Sequence, residues 1–155
     1  MKFSKEDEII FQNIFLLREN RQFRKALKLL DSLEFKYKNN KSIHGLYAII
    51  FYEAKDFKNS AIHYCKVITI KPDSELASLG LYLSLIHIGK DTKALKELFR
   101  YTDSYKPKLY IVTIKELMGD KNIEGIGVKT DKKKIQNLYN KWCALTGASV
   151  PKDHL

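Results

Sequence analysis

Displacing the chain against itself by 34 residues brings three segments into register, at roughly 7–40, 41–74 and 75–108. Self-similarity at a fixed interval of this length marks a stack of like supersecondary units. Ile14, Ala48 and Tyr82 share one column, and Leu17, Phe51 and Leu85 share the one three residues on. Phe23 and Phe57 make a further column, which Asp91 breaks. Ala26, Ser60 and Ala94 form a column of small residues. Leu30, Tyr64 and Leu98 follow, then Leu33, Val67 and Tyr101. Pro72 closes the second unit, and Pro107 sits one residue late at the end of the third.

Within a unit the apolar residues recur at helical spacing. In the second, Ile43, Tyr47 and Ile50/Phe51 are followed by an interruption at Lys55-Asp56-Phe57, after which Ala61, Tyr64 and Val67/Ile68 resume the 3.6-residue period. Each unit therefore reads as a helical hairpin. Gly89 is placed to end the first helix of the third unit in a left-handed conformation, and Asn20 precedes the matching turn of the first. The small column has a steric cause, because two helices joined by a tight turn approach closely and a large side chain at their crossing would be overpacked. The large columns fill the space between neighbouring hairpins, none of which buries its apolar face alone.

This pattern resembles the tetratricopeptide repeat family. The residues that carry the resemblance are Ala48 and Phe51 on a first helix, with Phe57, Ser60, Tyr64, Val67 and Pro72 on the second helix of the middle unit and Gly89, Ala94 and Leu98 in the third. It covers about two thirds of the chain. His44 stands where the family favours tryptophan, Tyr82 where it favours glycine, and Lys38 where the first unit would have its closing proline. The resemblance implies an all-α fold: a right-handed superhelical array of three hairpins with a C-terminal capping helix, forming one domain over residues 1–155. After the repeats, residues 109–118 read as a further first helix and residues 131–146 as an amphipathic cap. In the latter, Thr130 or Asp131 is the N-cap and Ile135, Leu138, Tyr139, Trp142 and Leu145 share a face.

Composition agrees with a single domain: 155 residues, 45% apolar, with only three prolines and seven glycines, suit long helices and short turns. Cys65 and Cys143 are too few and too far apart for a disulfide scaffold, so buried free thiols are expected. The acidic start, from Lys5 through Glu8, does not fit a signal peptide, and the apolar stretch around Leu76 to Ile88 is too short and polar to span a bilayer. A cytoplasmic protein without a membrane span is expected. The net charge of +10 suits an acidic protein, a nucleic acid or a membrane surface, and equally arises where a genome is biased toward A and T.

Catalytic and metal chemistry find little footing. The four histidines are scattered; His63 and Cys65 diverge on a helix, and neither His44 nor His87 has a ligand neighbour at metal spacing. Gly125-Ile126-Gly127 lacks the Gly-Lys-Ser/Thr core of a phosphate loop. No cofactor is expected. Two basic clusters stand out: Arg21, Arg24, Lys25 and Lys28 on the first hairpin, and Lys129, Lys132, Lys133 and Lys134 near the start of the last helix. The second opposes the helix dipole.

The tetratricopeptide resemblance implies that the first helix of each hairpin lines a concave groove. On this register the groove carries Phe11, Phe15, Arg18, Ile49, Tyr52, Leu79, Leu83 and Ile86. Arg18 apart, it lacks the Lys, Asn and Arg with which carboxylate-clamp members grip chaperone tails. An apolar groove calls for an occupant, either an amphipathic helix or extended peptide of a partner or the chain's own last helix. Three functions remain open: a non-enzymatic adaptor, scaffold subunit or dedicated chaperone; an immunity protein covering a toxin's active surface; and, less favoured, a basic repeat protein binding nucleic acid.

Overall fold

The computed structural model describes residues 3–119 and, beyond them, Lys133, Gln136, Asn137 and Asn140 as helical positions. Seven helices follow one another among the described residues, with no strand: α1 Lys5–Glu19, α2 Phe23–Lys36, α3 Lys41–Glu53, α4 Phe57–Ile70, α5 Glu75–His87, α6 Asp91–Ser104 and α7 Tyr110–Gly119. The second helices α2, α4 and α6 begin at Phe23, Phe57 and Asp91, 34 residues apart. Consecutive helices pack on one another along the chain, and the first helices α3 and α5 also touch. The three-residue links within each pair make those partners antiparallel.

The turn inside every hairpin is the same. Arg21, Lys55 and Gly89, one interval apart, all have positive φ, at 56°, 62° and 68°. Each donates its backbone N–H to the carbonyl three residues back, and the residue after it reaches five back: Gln22 to Leu17, Asp56 to Phe51 and Lys90 to Leu85. This paired bond closes a helix in the left-handed manner that glycine favours. Only the third unit uses glycine; Arg21 and Lys55 hold the same conformation at a cost of roughly 1–2 kcal/mol each. Side-chain caps start several helices, with Ser4 accepting from the Asp7 N–H, Asn40 from Ser42 and Asp56 from Asn59.

The small column is fully buried at Ala26, Ser60 and Ala94, as the overpacking argument requires. Ser60 Oγ donates to the Ala48 carbonyl at 2.9 Å and lies 3.0 Å from Ser84 Oγ, so its hydroxyl is partnered. The column of Leu30, Tyr64 and Leu98 is buried beside it. Where α5 crosses α4, Gly80 lies under the Tyr64 ring, and a Cβ there would stand 2.3–2.6 Å from three ring carbons.

The sequence-expected helix at 109–118 is α7, which begins at Tyr110. One oxygen of the Glu75 carboxylate accepts from the backbone N–H groups of Lys108, Leu109 and Tyr110 at 2.7, 2.7 and 3.0 Å. The first turn of α5 thus caps the start of α7. Tyr110 is fully buried, and its hydroxyl lies 2.9 Å from Ser78 Oγ, which donates to Glu97 at 2.5 Å. Glu97 is buried and neutralised by Arg100, at 2.7 Å.

One expectation is reversed. Cys65 is a free thiol but an exposed one, because α4 turns Tyr64 and Val67 inward and the two residues between them, Cys65 and Lys66, outward. No described helix is long and apolar enough to cross a membrane. Most of the expected cap at 131–146, and Cys143 and Trp142 with it, lies outside the described residues.

Candidate functional site

Helices α1, α3 and α5 each keep one face partly exposed, although Phe11, Ile49, Leu79, Leu83 and Ile86 on it also pack against the buried clusters. On α1 that face carries Phe11 and Phe15, on α3 Gly45, Ile49 and Tyr52, and on α5 Leu76, Leu79, Leu83 and Ile86. Phe15 is 44% exposed and Leu76 61% exposed, while Phe11, Ile49, Tyr52, Leu79, Leu83 and Ile86 are half-buried. On α7, Val112 is 61% exposed, and Leu109, just before that helix, is also exposed. The groove residues expected from the sequence are thus on the surface or close under it, and most are apolar.

The side chains differ from one end of this face to the other. Phe3, Phe11, Phe15, Ser42, Gly45, Leu46 and Ile49 surround an open hollow of about 420 Å³ between α1 and α3. Phe3 packs edge-on against Phe11, with ring centroids 4.5 Å apart. Toward the turns, Arg18 is engaged by Glu53 of α3 through two bonds, at 2.5 and 2.8 Å. The guanidinium that the sequence placed in the groove is therefore spent on joining two hairpins. Next to it, Tyr52 meets Phe57 and His87, and His87 stacks on Phe57 at 4.0 Å. The Tyr52 hydroxyl lies 3.2 Å from His87 Nε2.

The structure also brings together a group that sequence spacing did not. His44 of α3 and His63 of α4 stand 5.4 Å apart between ring centroids, and His63 stacks on Tyr47 at 4.5 Å. Glu34 of α2 comes within 3.7 Å of His44 Nδ1. His44 does have an acidic neighbour after all; it is ten residues away in sequence, and hairpin packing supplies the contact. The Nδ1 atoms of both histidines are buried and without a hydrogen-bond partner. Burial and the nearby Lys66 push the His63 imidazole down to about 4, against the pull of Glu34. His44 is lowered by the same two causes. Among the described residues, no group of three or more His, Cys, Asp and Glu side chains is arranged to hold a metal.

Of the basic positions, Arg21, Arg24, Lys25 and Lys28 are all exposed along the start of α2, with the Arg21 guanidinium over the Phe23 ring. Lys133 is exposed on a helix, whereas Lys129, Lys132 and Lys134 lie outside the described residues. The two clusters are not brought together by anything described.

No family model matches the sequence, and neither the curated proteins nor the solved structures compared with it give a match. The site therefore rests on its own geometry. Sequence reasoning missed Phe3, Gly45, Leu76, Leu109 and Val112. Gly45 and Leu76 were within reach, since Gly45 shares the column of Phe11 and Leu79, and Leu76 lies one interval beyond Ser42.

Proposed function

We propose that this chain is a tetratricopeptide-type interaction module that holds an amphipathic polypeptide segment against the apolar face of its first helices. The single observation carrying this reading is the column of Phe15, Ile49 and Leu83, one interval apart on three successive first helices, which stays exposed or half-buried. Apolar side chains left partly exposed in this way suit a binding site, and helix-in-groove docking uses such a face with anchors at i, i+3, i+4 and i+7. The 34-residue recurrence of the second helices supports the tetratricopeptide assignment. The role it serves is that of an adaptor, scaffold subunit or dedicated chaperone, with no chemical step of its own.

The test is capture of partners from native lysate, treated with nuclease, on the immobilised protein and on a variant carrying Phe15→Glu and Leu83→Glu. Circular dichroism must first show equal helical content. One stoichiometric protein, present on the first column and absent from the second, is the expected result. A protein retained equally by both columns moves the site to the convex or basic faces. Recovery only of material removed by nuclease and by salt refutes the protein-binding reading and favours nucleic acid.

A further inference from the structure

Four glycines among the described residues sit in or beside the helices of the array; Gly119 ends α7, and two of the other three have an evident structural reason. Gly89 has φ +68°, and Gly80 leaves room for the Tyr64 ring. Gly45 has neither reason: it lies in the middle of α3, its φ is ordinary, and a Cβ there would meet nothing within 4 Å. A mid-helix glycine costs about 1 kcal/mol relative to alanine, so the fold would gain from a side chain at this position. What Gly45 borders is the hollow lined by Phe3, Phe11, Phe15, Leu46 and Ile49. We infer that Gly45 keeps open an anchor pocket for one large aromatic side chain of an acidic partner segment. This rests on the groove reading and adds the chemistry of what the groove takes.

Size and lining fit an aromatic ring. An apolar cavity of roughly 150 Å³ already takes a benzene, so the hollow of about 420 Å³ accommodates an indole, with Phe11 and Phe15 offering ring faces and edges. Buried aromatic anchors dominate binding energy when they fill such a recess. Charge selects the occupant. Residues 1–119 carry 21 Lys and Arg against 14 Asp and Glu, and residues 120–155 carry seven against four. The chain's own C-terminal segment is basic like the body it would cover, and a second copy brings another +10. Both meet like charge, whereas an acidic segment is drawn to the surface.

The test uses the full chain and amide NMR titration at low salt with two probes, N-acetyltryptophan (anionic) and tryptophanamide (cationic). The expected result is saturable shifts confined to the amides around Phe11–Phe15 and Gly45–Ile49. Affinity should be on the order of millimolar, as a fragment of this size allows, and tighter for the anion. Gly45→Leu should weaken it at least tenfold without lowering the melting temperature, and Gly45→Ala should weaken it less while raising that temperature. Several results overturn the inference. These are no saturable shifts, equal or tighter binding of the cation, full binding by Gly45→Leu, or a fall in melting temperature for Gly45→Ala. Shifts that appear only in a Trp142→Ala variant would make the chain's own segment the occupant. A dimer in sedimentation that Gly45→Leu disperses would make it a second copy. On the lysate column, Gly45→Leu retaining a partner that Phe15→Glu/Leu83→Glu loses would remove the anchor and leave the groove.

Discussion

Gly80→Ala tests whether the α4–α5 contact is as close as it stands. An added Cβ would lie 2.3–2.6 Å from three carbons of the Tyr64 ring, where carbon atoms rest comfortably at about 3.5–4.0 Å. Relief needs a movement of about 1 Å. Tyr64 is buried in a cluster with Ala61, Val67, Ala77 and Leu81, so the ring has little room to make it. Overpacking of this kind costs about 1–3 kcal/mol, while alanine gains about 1 kcal/mol over glycine within a helix. Steric cost should match or exceed the gain, for a net loss of up to about 2 kcal/mol. The first interface supplies the control, because one interval earlier Leu30 and Leu46 occupy the positions of Tyr64 and Gly80. In a Tyr64→Leu background the obstruction is gone, and Gly80→Ala should become stabilising by about 1 kcal/mol. The double-mutant cycle should therefore return the steric cost itself as a coupling of about 1–3 kcal/mol. Urea unfolding of the four proteins, compared at constant m-value, reads it directly. A Gly80→Ala variant that is more stable than the parent in both backgrounds would refute the close approach.

Two further outcomes follow from buried polar groups. The fold holds His63 neutral, with its imidazole lowered to about 4 by burial and Lys66, whereas the unfolded chain binds that proton near pH 6.5. Stability is thus full above about pH 6.5 and falls as the pH drops toward 4, because the unfolded state binds more protons in that window. His44, shifted the same way, adds to the loss, and Glu34 offsets part of it. Urea midpoints between pH 7.5 and 4.5 should fall by about 1–3 kcal/mol equivalent, and His63→Phe, which keeps the stack on Tyr47, should flatten the slope. Glu75→Ala removes the acceptor of three N–H groups at the start of α7 and should cost about 0.5–2 kcal/mol. Hydrogen exchange should show the loss first at Tyr110 and its neighbours, while α3 and α4 keep their protection.

Periodicity made the hairpins legible because it records what each residue must do locally. The small column at Ala26, Ser60 and Ala94 and the left-handed Gly89 could be read without coordinates, since close crossing and positive φ restrict residue type. The matching turns of the first two units could be placed, but the left-handed conformation at Arg21 and Lys55 could not, because neither residue type gives a sign of it. Which first-helix residues reach the surface was legible, and how they are engaged was not. Arg18 reads as a free cation until Glu53, 35 residues on, is seen to engage it. His44 and His63 read as isolated until α3 and α4 close into one hairpin, and Cys65 reads as apolar until the helix phase turns it outward. Gly45 is silent in sequence, where a glycine suggests a turn or a tight fit; its interest appears only when the space around it proves empty.

The turns at Arg21, Lys55 and Gly89 share one backbone geometry and one pair of hydrogen bonds. A stretch running from Gln22 to Lys55 leaves the chain in the conformation in which it entered, and that makes it an interchangeable link. Copies of it can be spliced end to end with no new junction. The number of helical pairs in the array becomes a matter of how many links the gene encodes.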